Sequence, residues 1–146
     1  YVSPCIDNNS VLLLTYGSLN GFNFSNIGFK WKHLGYIKTT SQMNQIYRAS
    51  DLMVSPSLDD IGPTTVQEAF ANSLPVIGFN IGFVSDFITK DIYGKKVECF
   101  NEQQFGKFIV DYLNAKDIIQ NNFKNELDFN LMKEASLFYN IFKSNK

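Results

Sequence analysis

Two carboxylates with seven residues between them, Asp60 and Glu68, carry the best-defined chemistry of the chain, within Asp51 to Phe79, DLMVSPSLDDIGPTTVQEAFANSLPVIGF. Pro63 follows the first of them. A proline in the first turn of a helix has no amide hydrogen to lose and a preset φ, so the stretch predicts a helix starting near Pro63 and continuing over Thr64 to Asn72. The amides of Thr64 and Thr65 then lack partners within the helix and suit a phosphate oxygen. At ~100° per residue, Glu68 falls roughly opposite the midpoint of Val66 and Phe70, so it is either solvated or aimed into a cleft. A carboxylate accepts from both hydroxyls of a vicinal diol, which suits a ribose ring, and Asp60 suits hexose hydroxyls in the same way. The competing account is that Asp59 or Asp60 caps or flanks the helix and faces its dipole, typically worth ~0.3–1 kcal/mol. On the residues alone that account is the simpler one. Asp59 and Asp60 could also be read as metal ligands, but no third ligand lies near them in sequence.

Strands must hold such a loop. Val11 to Tyr16 is an apolar run ending at Gly17 and predicts a strand buried on both faces, as in parallel sheets. Lys32 to Ile37 predicts a shorter strand, in which Gly35 either forms a bulge, the commoner case, or lets a ligand approach the backbone. Thr39 and Thr40 are placed to cap a helix over Ser41 to Ala49, with Met43, Ile46 and Tyr47 on its apolar face. Further strands are expected at Leu52 to Val54, Pro75 to Phe79 and Lys95 to Phe100, with a short helix at Phe83 to Ile88. From Asn101 onward the pattern is helical: Phe105, Phe108, Ile109, Tyr112 and Leu113 form one stripe, and Leu131, Ala135, Phe138 and Phe142 another. These aromatics read as core. The alternation followed by terminal helices predicts an α/β, Rossmann-like, mostly parallel open sheet with flanking helices. In such sheets ligands bind beyond the carboxyl ends of the strands, where Ser55 to Pro63 lies.

The rest of the chain narrows the function by what it lacks. Its 146 residues and 45% hydrophobic content fit a single domain over 1–146, with an α/β core at 11–100 and helices at 101–146. Lys and Arg number 13 against 14 Asp and Glu, so no basic surplus drives binding to nucleic acid or anionic membrane. Cys5 and Cys99 fit neither a metal spacing nor a secreted disulfide framework, which makes a reducing cytoplasm the default expectation. No apolar run approaches the roughly 20 residues of a transmembrane helix. His33, the single histidine, reads as structural, and Arg48, the single arginine, as a solvated surface residue. Neither G-x-x-x-x-G-K-[ST] nor G-x-G-x-x-G occurs. The opening YVSPCIDNNS runs straight into VLLLTY as though cut from something longer.

The run HLGYIKTTSQMNQIYRASDLMVSPSLDDIGPTTVQEAFANSLPVIGFNIGFVSDFI, followed by YGKKVE, resembles the carboxyl-terminal, nucleotide-sugar-binding domain of retaining glycosyltransferases of the GT-B fold, group 1 (family 4). The resemblance covers roughly residues 11 to 100. It is carried by five blocks in order, including the LGYI strand, the IYRASDLMVSPS approach, the acid pair and EAFANSLPVIGF. In that family the second acid of an E-x7-E motif binds the nucleotide ribose, which implies that role for Glu68. The first acid contacts the transferred sugar; Asp60 stands in its place, one methylene shorter. The amides that hold sugar and diphosphate map to Gly62, Thr64 and Thr65, and Tyr36 and Ile37 map near the base. Pro63 matches a subgroup whose loop reads like N-x-P-N-T.

Two departures accompany the match. The family's first strand and helix, with the Arg and Lys that neutralise the leaving diphosphate, have no counterpart before Val11, and the acceptor-binding amino-terminal domain is absent. In a doubly wound sheet the absent strand is the central one, so the sheet is expected to be split, closed differently, or completed by another chain. The resemblance implies transfer of a sugar from a nucleotide-diphosphate donor to an acceptor hydroxyl in glycan or cell-surface polysaccharide synthesis. No cofactor and no metal are implied, and the isolated chain is expected to be inactive without its amino-terminal domain. Its expected partners are a nucleotide sugar and a glycan or lipid-linked acceptor, not nucleic acid. The location implied is cytoplasmic, with peripheral association of the full-length enzyme at the inner membrane face left open. The alternative is a non-catalytic nucleotide-sugar-binding or interaction domain with a degenerate site.

Overall fold

The computed structural model describes residues 9–19, 21, 23–24, 27–59, 64–115, 119 and 121–124. Strands and helices alternate along them: β1 (Leu12–Thr15), β2 (Lys30–His33), α1 (Thr40–Ala49), β3 (Met53–Ser55), α2 (Thr64–Ala71), β4 (Val76–Phe79), α3 (Gly82–Phe87), a 3-10 turn (Asp91–Tyr93) and β5 (Gly94–Val97). A further helix, α4, covers 102–115. Every strand pairing is parallel. β1 pairs with β2, and β4 lies between β3 and β5. The fold is therefore α/β and Rossmann-like with flanking helices, and among the described residues its strands form two sheets rather than one. A split sheet is one of the three arrangements expected for a doubly wound order without its central strand.

Strand β4 organises the core because it is buried at all four positions. Its side chains alternate between the two faces of its sheet. On one face Val76 packs with Tyr47 of α1, Val66, Ala69 and Phe70 of α2, and Val84 of α3. On the other, Ile77 and Phe79 pack with Val97 and with Phe105 and Tyr112 of α4. A side chain such as Ile77, at 0% exposure, contributes roughly 1.5–3 kcal/mol by leaving water. Phe70 adds edge-on contacts to Phe87, Tyr93 and Phe123 at 5.3, 5.7 and 5.3 Å between ring centres. The predicted stripes on α1 and α4 thus face the core; the stripe from Leu131 to Phe142 lies outside the described residues.

Local signals explain the element ends. Thr39 caps α1, its hydroxyl accepting from the Gln42 amide at 3.2 Å, an arrangement usually worth ~1 kcal/mol. β2 ends at His33 rather than Ile37 because Gly35 adopts φ +69°, a turn conformation that breaks the strand instead of bulging within it. A Cβ on Gly35 would meet no atom within 4 Å, so backbone conformation rather than crowding accounts for the glycine. β5 starts at Gly94 and stops at Val97, short of the expected Phe100, which turns outward at φ +65° and is 77% exposed.

One burial expectation is corrected. β1 is not covered on both faces: Leu12 is 54% exposed and Leu13, Leu14 and Thr15 are only half-buried. A two-stranded sheet with a single pairing partner has too little surface to be enclosed by helices on both sides. The expected strand at Leu52 to Val54 is displaced by one residue, to Met53–Ser55.

Candidate functional site

Parallel pairing brings the carboxyl ends of β1 and β2 to one rim, and those of β3, β4 and β5 to another. Of the residues singled out from the sequence, Tyr36, Ile37, Thr64, Thr65 and Glu68 are described and lie near these rims. Tyr36 and Ile37 follow β2, Tyr36 being exposed and Ile37 half-buried. Thr64 and Thr65 open α2 beyond β3, and Glu68 lies one turn further on. The first amides of any helix have no intrahelical partner, so those of Thr64 and Thr65 are placed to meet an anion. Asp60, Gly62 and Pro63 lie outside the described residues. Asp59 is exposed.

Glu68 is neither buried in the core nor free in solvent. Its Oε2 accepts a 2.9 Å hydrogen bond from the Tyr47 hydroxyl, while Oε1 accepts none among the described residues. The Tyr47 hydroxyl is 3.3 Å from that of Tyr16, the residue directly after β1. Burial first, then the bonds to Tyr16 and Glu68, pushes the Tyr47 phenol well above its ordinary range, so it remains a protonated donor. Tyr47 is thus assigned two roles. Its ring belongs to the core face predicted by helical spacing, and its hydroxyl reaches the acid, a function that periodicity alone does not show. The available signal was the residue type, since a buried tyrosine hydroxyl usually finds a partner.

The main chain of Glu68 is held as well. Its carbonyl accepts from the Asn72 amide side chain at 2.9 Å, and the same side chain donates to Asn44 of α1 at 3.0 Å. Arg48 is exposed, as expected, and donates through Nε to Asn72 Oδ1 at 3.1 Å. His33 is hydrogen-bonded through Nδ1 to Thr15 at 3.0 Å, its registered neighbour on β1. That bond supports the structural reading of the histidine.

A cleft of about 560 Å³ opens elsewhere, at the amino ends of β3 and β4. It is lined by Arg48, Ser50, Asp51, Asn72, Asn121 and Lys124, among others. The carbonyl-bearing ends of α1 and α2 point toward it, and Arg48 is the basic residue in the last turn of α1, where a cation compensates the helix dipole. Negative helix ends, Asp51 and two cations define no single ligand charge there. Among the described residues no group of three or more His, Cys, Asp or Glu is arranged to hold a metal ion. No described helix is long and apolar enough to cross a membrane.

A search of the curated proteins gives no match to the chain. A family model described as "Glycosyl transferases group 1" matches residues 25–127, well over half of the chain and including α1, β3, α2, β4, α3 and β5. The acid-bearing helix, the loop after β2 and every described strand except β1 fall inside that match, and the chain accordingly belongs to the group 1 glycosyltransferases, a sugar-transferring family.

Proposed function

We propose that this chain is the donor-binding domain of a retaining, GT-B-type glycosyltransferase that takes a nucleotide-diphosphate sugar. The single observation that carries the reading is the placement of Glu68 on α2, inside the family match, with one carboxylate oxygen unbonded among the described residues and the Thr64 and Thr65 amides one turn earlier. In this reading Glu68 accepts from the ribose hydroxyls, and the amides of Gly62, Thr64 and Thr65 hold the diphosphate. Asp60 accepts from the transferred sugar, and Tyr36 and Ile37 flank the base.

Chemically, glycosyl transfer breaks the bond between the anomeric carbon and the diphosphate oxygen and forms one to the acceptor oxygen, with the acceptor's proton lost. Negative charge gathers on the departing diphosphate and is stabilised by donors already aimed at it, so the transition state requires little reorganisation. The helix amides supply part of that field without a metal ion. An amino-terminal domain supplies the acceptor site, so robust glycosyl transfer by the 146-residue chain alone would contradict this division of labour. The acceptor is a growing glycan or a lipid-linked glycan, and the enzyme works in the cytoplasm or at the inner membrane face.

Calorimetric titration of UDP, GDP and ADP and of their hexose conjugates tests the reading. One base is expected to bind at least tenfold more tightly than the others, and its hexose conjugate more tightly than the bare nucleotide. Asp60→Ala is expected to remove the advantage of the conjugate while leaving the bare nucleotide unaffected. Failure of all six compounds to bind would overturn the assignment.

A further inference from the structure

A chain of two hydrogen bonds runs from Tyr16, after β1, through Tyr47 of α1 to the Glu68 carboxylate on α2, and it has a direction. An ionised carboxylate only accepts, so the single Tyr47 hydroxyl proton is directed to Glu68 Oε2. The Tyr47 oxygen is then left as an acceptor, which makes Tyr16 the donor of the 3.3 Å contact between the two hydroxyls. The chain of donors runs from the carboxyl end of β1, through the buried face of α1, to α2. It crosses from one sheet to the layer packed on the other. Tyr47 has little freedom to follow a moving partner, since it is 3% exposed and its ring is packed in the core cluster.

We infer that Tyr47, supported by Tyr16, is a positioning residue that fixes the Glu68 carboxylate for recognition of a vicinal diol, so that ribose and deoxyribose nucleotides are told apart. The inference rests on the donor-site reading above. A carboxylate on a solvated helix face samples several rotamers, and each must be given up on binding. Here Oε2 is held before the ligand arrives, while Oε1, unbonded among the described residues, and the remaining lone pair on Oε2 are left for two hydroxyls. Preorganisation of this kind increases affinity by reducing what must be ordered on binding. The bonds from Asn72 to the Glu68 carbonyl and to Asn44 keep the backbone of the acid in register with α1, so the side-chain clamp acts on a fixed base.

Tyr47→Phe keeps the packed ring and removes only the hydroxyl; Tyr16→Phe removes the second donor from a less buried position. The measurement is the ratio of affinities of the full chain for UDP over dUDP, GDP over dGDP and ADP over dADP, with thermal unfolding recorded in parallel. Tyr47→Phe is expected to lower the ratio for the preferred base by about three- to tenfold, through weaker binding of the ribonucleotide alone. Tyr16→Phe is expected to lower it by a smaller factor in the same direction. A purely structural tyrosine would weaken both members of a pair equally and leave the ratio unchanged, which would overturn the inference. Glu68→Ala separates the two levels. If it abolishes discrimination while Tyr47→Phe leaves the ratio intact, the donor site stands and the positioning role falls. If neither variant alters the ratio, or if no nucleotide binds the unaltered chain, the donor-site reading falls and the inference with it.

Discussion

Gly94→Ala is expected to lower the free energy of unfolding by about 3–6 kcal/mol, a large part of the 5–15 kcal/mol typical of a folded domain. Two costs combine. Gly94 opens β5 at φ +133°, a region that L side chains rarely adopt. A Cβ built there would also sit 1.7 Å from the carbonyl oxygen of Val76, its registered partner on β4. The clash is with backbone, so no rotamer relieves it, and β5 must move away from the central strand. Loss of that pairing exposes Val97, which is buried against Ile77 and Phe79 on the α4 side. Urea unfolding followed by circular dichroism checks the prediction, and a midpoint within error of the unaltered chain would contradict it. Gly78 on β4 is a milder case. Its Cβ would lie 2.9 Å from Val84 Cγ2, which a small shift of α3 eases, and 3.0 Å from the Ser55 carbonyl, where β3 must give by a few tenths of an ångström.

Glu68→Ala is expected to weaken binding of the preferred nucleotide diphosphate by about 10- to 150-fold. That range follows from the ~1.5–3 kcal/mol assigned to hydrogen bonds made by a charged group. The effect on folding is expected to be much smaller, because Tyr47 keeps its ring packing and Tyr16 remains near its hydroxyl. The contrast between the two quantities is the informative part. A carboxylate present only to support the fold would show the reverse, with a lowered melting temperature and unchanged affinity. Calorimetry and thermal unfolding on the same sample distinguish the two outcomes.

The fold was legible wherever burial was complete and the sequence correspondingly apolar. Val76 to Phe79 is the plainest example, with both faces covered and no charged residue. Legibility declined at the sheet margins. β2 is formed by Lys30, Trp31, Lys32 and His33, largely exposed, and the apolar Leu34, Tyr36 and Ile37 that suggested a strand over Lys32 to Ile37 instead follow it, around the turn at Gly35. β5 begins at a glycine and carries two lysines, so it contains little of the pattern by which strands are recognised. Its conformation depends on Val76, a partner distant in sequence. At the site, the wheel position of Glu68 correctly kept it out of the core. The bond from Tyr47 was not legible, because periodicity treats tyrosine as an apolar residue and ignores its hydroxyl. Family resemblance added the roles of the acids and amides, which helical geometry leaves open between ligand binding and dipole compensation.

The proposed donor site puts the nucleotide at the amino end of α2, between the rims formed by β2 and β3, and not in the cleft lined by Arg48 and Lys124 at the opposite ends of the strands. Amide chemical-shift mapping of the full chain with the tightest-binding of UDP, GDP and ADP tests it most directly. The account predicts the largest shifts at Thr64, Thr65 and Glu68 and at Gly35, Tyr36 and Ile37, with Arg48, Ser50, Asn121 and Lys124 little changed. Shifts concentrated on those last four residues, with α2 unperturbed at its amino end, would contradict it.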